Sequence, residues 1–151
     1  MNGLKTSLKV GLQILKQLAL ADGEPVTVRF LAETLQQSDK YLEQLLLPLR
    51  RARIVRSIRG AHGGYALARP AKQIRLHEIV AVLQGAFVFC DCGNQKCHEC
   101  VNPEFWQELE TCIDEALASV TLADVIHPTV KPRRLAPTVV EGPWVQGGLG
   151  I

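Results

Sequence analysis

The chain has 151 residues, 47% of them hydrophobic and 21% charged, and a formal net charge of +2. No stretch approaches the ~20 apolar residues of a membrane span, so composition excludes a membrane-spanning helix and fits one soluble domain with at most an appended element. The charge is unevenly divided: residues 1–85 carry 13 Lys and Arg against 6 Asp and Glu, net +7, whereas residues 86–151 carry 4 against 9, net −5; the basic half is either an electrostatic footprint for a polyanion such as nucleic acid or a solvated basic surface.

Leu4, Leu8, Gly11, Leu12, Leu15 and Leu18 recur at helical spacing and predict an amphipathic helix over 4–21, ending before Asp22-Gly23. Lys16 interrupts its apolar run, which leaves too short a core for a secretion signal, so a cytoplasmic location with reduced thiols is expected. After the loop GEPV, Thr27 can cap a short helix with Leu31, Ala32 and Leu35 inward. Following QQ, Ser38 is an N-cap and Asp39 suits the positive end of the helix dipole. The helix it opens buries Leu42, Leu45, Leu46 and Leu49 and presents Lys40, Glu43, Leu47 and Arg50, with Tyr41 and Gln44 on its flanks. Pro48 inside it predicts a kink, and Arg53 stands where a helix end prefers glycine.

The period then changes from 3.6 to 2. IVRSIR and GYALAR flank GAHG, which predicts a two-stranded hairpin over 54–69 with a Gly-rich tip, closed by Pro70. LHEIVAVLQG is a short helix ended by Gly85. Next comes CDCGNQKCHEC, residues 90–100, which holds four of the five cysteines. Cys92-x4-Cys97-x2-Cys100 reproduces part of a plant-type [2Fe–2S] spacing, while Cys90, Cys92, Cys97 and Cys100 together supply the four ligands that zinc prefers. Four cysteines in a polar loop do not fit the buried, inert cysteine, whereas Cys112 does and is expected in the core.

Beyond Pro103, Trp106, Leu109, Ile113, Ala116 and Val120 are spaced 3, 4, 3 and 4, a heptad-like seam on a helix of about five turns. One apolar stripe among Glu104, Glu108, Glu110, Asp114 and Glu115 suits a dimer interface, or packing on the body of its own chain. Residues 127–151 hold four of the eight prolines and four of the twelve glycines and read as a disordered tail.

A short helix, a polar turn, a capped second helix and a basic hairpin form the layout of a winged helix-turn-helix. The expected fold is mostly α with a small β-wing: a DNA-binding domain over 1–85, a cysteine-rich loop over 86–103, a dimerisation helix over 104–126 and the tail. In such a domain the second helix enters the major groove, where Tyr41 and Gln44 can bond bases or phosphates and Glu43 can accept from a cytosine amino group. Ser38 and the helix start, with Lys40, suit a phosphate. Arg56, Arg59 and Arg69 lie on the hairpin, Arg59 beside the tip that also holds His62 and Gly63. Arginine there can enter a narrow minor groove.

These residues carry a resemblance. LAE, S..YLEQLL..LR, IV.S.RG..GGY.LARP, IRLHEIV..LQG, the cysteines, FW and TLADVI together resemble the Rrf-two family of bacterial regulators, including its iron–sulfur and nitric-oxide-sensing members, over about residues 4–126. The resemblance implies a homodimer on double-stranded DNA, with Ser38, Tyr41, Glu43 and Gln44 in the major groove and Arg59 in the minor groove. It also implies a [2Fe–2S] cluster held by three cysteines of the loop, Cys100 the last of them, plus a variable fourth ligand. Pro103 stands where some relatives have a ligating histidine, and Lys9 where others use an acidic residue of the partner subunit. The fourth ligand then falls to the extra cysteine, giving Cys90, Cys92, Cys97 and Cys100, with His98 and Glu99 as alternatives. The expected function is a homodimeric transcriptional regulator controlled by the cluster through iron, redox or nitric-oxide sensing. A regulator of the same fold with zinc or bare thiols is the alternative. A small iron–sulfur electron-transfer protein is the more distant one, since no nucleophile–base set stands out. Neither a membrane partner nor a small-molecule substrate is expected.

Overall fold

The computed structural model describes residues 5–85, 87–88 and 102–127. Cys90, Cys92, Cys97, Cys100, His98 and Glu99, and the tail from residue 128, lie outside the described residues.

Helix α1, Thr6–Leu20, buries Leu8, Ile14, Leu15 and Leu18 on one stripe. It approaches the later helix α4 (Leu76–Leu83) so closely that a side chain at Gly11 would strike Leu83. Helix α2, Val28–Leu35, is capped by Thr27, whose hydroxyl accepts from the Phe30 N–H at 3.2 Å. Its end is closed by Gln36 in the left-handed conformation (φ 53), with the Gln37 N–H donating to the Ala32 carbonyl at 3.1 Å. One residue on, Ser38 caps helix α3, Asp39–Arg51, by accepting from the Tyr41 N–H at 3.3 Å. The helix runs on through Pro48 to Arg51. Gln44, whose carbonyl loses the bond that an N–H at position 48 would donate, is exposed to water.

At the end of α3, Arg53 takes φ 57 in place of the glycine that such a closure favours. Its N–H reaches the Arg50 carbonyl and the Ile54 N–H reaches the Leu49 carbonyl, both at 3.0 Å. Leu49 and Ile54 are fully buried, so the apolar contact that accompanies this closure is present. Strands β1, Val55–Ile58, and β2, Gly64–Leu67, follow as an antiparallel hairpin with Val55 opposite Leu67 and Ile58 opposite Gly64. The α1–α2 loop joins their edge, because Val26 and Tyr65 exchange two 2.8 Å backbone bonds. Gly64 is required there: a Cβ would fall on the Val26 carbonyl.

A 3-10 turn over Ala71–Gln73 leads into α4, which Gly85 (φ 90) ends as its N–H donates to the Val80 carbonyl at 3.1 Å. The single helix expected over 104–126 is two: α5, Pro103–Ser119, and α6, Leu122–Ile126. The break has a local cause. Val120 is extended, and Thr121 and Asp124 form a capping box, with N–H to carboxylate at 2.9 Å and N–H to hydroxyl at 3.3 Å. Two bonds that Thr121 donates to the carboxylate, from its hydroxyl at 2.7 Å and from its N–H at 2.9 Å, hold the Asp124 carboxyl below its ordinary pKa, and the charge of Arg75 adds to the effect. Residues 120–122 also lie beside the start of α4: the Leu76 N–H donates to the Val120 carbonyl at 2.9 Å, and the Leu122 N–H to the Ile74 carbonyl at 2.8 Å. Leu122 itself is fully buried in the common core with Leu15, Leu46, Ile54 and Ile79. Among the described residues no helix is long and apolar enough to cross a membrane.

Candidate nucleic-acid interface

Burial orients α3. Leu42, Leu45, Leu46 and Leu49 are 0–6% exposed and seat one side of the helix in the core. Lys40, Glu43, Gln44, Leu47 and Arg50 are therefore turned outward, and all five are exposed. Ser38 is exposed at the head of the same helix, with its hydroxyl engaged in the cap. Tyr41 is half-buried and packs against the core, so its ring is held in place by the fold.

The hairpin stands beside this helix. Arg56, Arg59 and His62 are exposed on it, and the tip is tied by the Gly63 N–H donating to the Gly60 carbonyl at 3.0 Å. Gly63 leaves no room for a side chain, because a Cβ would fall on the Ile58 carbonyl. Gly60, at φ 123, gives Arg59 its place at the turn. The Arg56 Nε reaches back across the hairpin to the Leu67 carbonyl at 3.3 Å. Arg69, the third arginine of the hairpin reading, is instead committed within the fold. Its Nη2 pairs with the Glu78 carboxylate at 2.7 Å and its Nη1 donates to the Gln73 carbonyl at 3.3 Å. Glu78 also accepts from the Arg75 N–H at 3.0 Å. Burial pushes the Glu78 carboxyl up; the bonds from Arg69 and Arg75, with the charges of Arg69 and His77, more than offset it, so it lies below its ordinary value.

At the foot of α3, Arg50, Arg53, Arg56 and Arg69 line one shallow groove of about 720 Å³ against β1, with no acidic residue in its wall. Sequence reasoning placed Arg56 and Arg69 on the hairpin but did not bring Arg50 and Arg53 to the same groove. The signal was the density of arginine on either side of the helix-to-strand junction. Together with Lys40 and Arg59, Arg50, Arg53 and Arg56 make a basic face around α3 and the hairpin, which suits a polyanion, whereas Arg69 borders it with its charge paired to Glu78.

The second candidate region is only bordered by described residues. Among these no group of three or more His, Cys, Asp and Glu is placed to hold a metal ion, and the clustered cysteines lie outside them. Cys112, expected in the core, is exposed. The reason is the placement of α5, which lies on the body of the chain with no buried residue of its own and packs only Leu117 against the core. The stripe Trp106, Leu109, Ile113, Ala116 and Val120 is half-buried throughout. Phe105 and Trp106 meet edge to face, ring centres 5.3 Å apart.

Residues 4–128 match the family model Rrf2, described as an iron-dependent transcriptional regulator. The transcriptional regulator CymR of Bacillus subtilis is 37% identical over 127 residues, covering 83% of this chain and 91% of that protein. Its solved structure, described as the global cysteine regulator, superposes with a TM-score of 0.68 over 83% of this chain and 97% of that one, at 33% identity. The structure of T. potens IscR gives a TM-score of 0.65 at 36% identity, covering 83% of this chain and 86% of that one. IscR of Cereibacter sphaeroides is 31% identical over 147 residues, 90% of this chain and 94% of that protein.

Proposed function

Because this chain belongs to the Rrf2 family of winged-helix transcriptional regulators, and is a regulator and not an enzyme, we propose that it binds a pseudo-palindromic operator as a homodimer under the control of a [2Fe–2S] cluster. Ser38, Lys40, Tyr41, Glu43 and Gln44 of α3 enter the major groove, and Arg56, Arg59, His62 and Gly63 of the hairpin follow the flanking backbone and minor groove. Trp106, Leu109, Ile113, Ala116 and Val120 pack against the same stripe of a second copy, which sets two half-sites about 34 Å apart.

The observation that carries the cluster reading is the donor set. Four thiols fall within eleven residues, between the Gly85 end of α4 and the Asn102 cap of α5. Thiolates are the ligands of iron–sulfur clusters, so the set fits the group. Cys90, Cys92, Cys97 and Cys100 would hold it, with His98 or Glu99 in place of one cysteine as the alternative. When bound, the cluster supplies one-electron redox chemistry and sensitivity to iron supply, oxygen or nitric oxide. This chain's own part is to join that stretch to α4 on one side and α5 on the other. A difference of a few kcal/mol in DNA affinity between two arrangements of those helices is enough for a switch. A second reading, with zinc or redox-sensitive thiols in the same place, is favoured by the similarity to CymR, described as a cysteine regulator.

One preparation decides between them. Protein purified without oxygen is expected to show visible absorption bands with matching iron and acid-labile sulfide. Its operator affinity is expected to change when the metal is removed. A colourless protein that takes up no iron and sulfide on reconstitution, and holds zinc or nothing, would overturn the cluster and leave DNA binding standing.

A further inference from the structure

We infer that Leu47 is a specificity residue that reads the C5-methyl group of a thymine in the major groove. This rests on the DNA-binding reading above and adds to it a base preference and the side chain that imposes it.

The seven exposed residues of α3 are Asp39, Lys40, Glu43, Gln44, Leu47, Arg50 and Arg51, and Leu47 is the only apolar one. The other leucines of the helix are 0–6% exposed, whereas Leu47 is 40% exposed, so the core does not account for it. A helix advances about 100° per residue, which sets Lys40, Glu43, Gln44 and Leu47 within one arc of the surface. Leu47 therefore shares the face that carries the reading residues and lies one turn, about 5–6 Å, further along it. That distance is one to two base steps. Among the described residues, the other large exposed apolar side chains, Leu20, Phe30, Val88, Phe105 and Val125, sit on other segments.

The chemistry of the groove selects the contact. Leu47 has neither donor nor acceptor, so it cannot discriminate among base edges by hydrogen bonding. The one apolar group that B-DNA offers in the major groove is the thymine methyl. A methyl group removed from water against a leucine gives roughly a fourfold preference per contact. Lys40, Glu43, Gln44 and Arg50 around it supply the polar contacts that keep the helix in register, leaving Leu47 to choose between thymine and the other bases at one position of each half-site.

The test uses the full-length protein and DNA that it selects itself. A duplex is enriched from a random-sequence library, and each thymine is replaced in turn by deoxyuridine, which removes only the methyl group. The wild-type protein is expected to bind about fourfold more weakly when a single uracil stands at the contacted position of either half-site. In Leu47→Ala that ratio should fall to about one, and Leu47→Met, still apolar and long, should restore most of it. Circular dichroism confirms that the exposed substitutions leave the fold intact. Wild-type protein indifferent to uracil at every position, or Leu47→Ala with the ratio undiminished, would overturn the inference while leaving DNA binding in place. Failure to enrich any duplex would instead sink the DNA-binding reading, and the inference with it.

Discussion

Arg53 shows how far a single residue can depart from local preference when its neighbours gain by it. Its φ of 57 is a conformation that costs an L-residue with a Cβ roughly 1–2 kcal/mol. It is held by two backbone bonds and by the burial of Leu49 against Ile54. Arg53→Gly should therefore raise stability by about 0.5–1 kcal/mol, the relief of strain exceeding the extra freedom of the unfolded chain. A thermal melt checks this, and a lower melting temperature would contradict the account. The same residue shows what a sequence discloses. The caps Thr27 and Ser38 were legible because each acts within four residues, and Arg53 was legible as an anomaly. The ion pair of Arg69 was not legible, because its partner, Glu78, lies nine residues on and in another element.

At the scale of elements, the Arg69–Glu78 pair clamps the root of the hairpin to α4. The Glu78 carboxyl lies below its ordinary pKa, so the stabilisation is fully present above the ordinary glutamate range and is lost as pH falls through the lowered folded value. Replacing Glu78 by Gln should cost about 1 kcal/mol near neutral pH, a modest figure because both side chains remain about one-third exposed. The difference between wild type and variant should then shrink on acidification. Urea midpoints at pH 7 and at pH 4 measure it; an equal gap at both would mean that the clamp is not the source. Helix and hairpin positions could be read because periodicity is a local property. The Val26–Tyr65 and Arg75–Thr121 pairings could not, since they join residues 39 and 46 apart. The break between α5 and α6 was in principle visible as a threonine followed three residues later by an acid. It was overridden by the heptad spacing that precedes it.

For the whole molecule, the open question is what covers α5. Among the described residues it is the longest helix, seventeen residues, and it buries none of them in this chain. A second copy joined along the half-buried stripe would bury it, and such an isologous contact is sensitive to one charge because each substitution is met twice. Ile113→Asp is expected to give a monomer by sedimentation and to weaken operator binding by more than tenfold, since two linked reading heads bind far better than one. Unaltered sedimentation as a dimer would place the interface elsewhere. The charge division belongs to this scale too: the basic half contains α3 and the hairpin, and the acidic half contains α5, so attraction to DNA is confined to one side of the chain.

The bonds from Leu76 to Val120 and from Leu122 to Ile74 have a mechanical consequence. They fix the last turn of α5 at the root of α4, and Leu122 is sunk in the core beside them. That junction is a fulcrum. The helix extends from it by about 25 Å, so a tilt of about 10° at the pinned end swings Pro103 by about 4 Å. The stretch that carries the four thiols joins the helix at the end of the long arm, where a small force has the greatest leverage over its angle. A lever pivoted beside α3 and the hairpin would convert a displacement at its tip into a change of angle between α5 and those two elements.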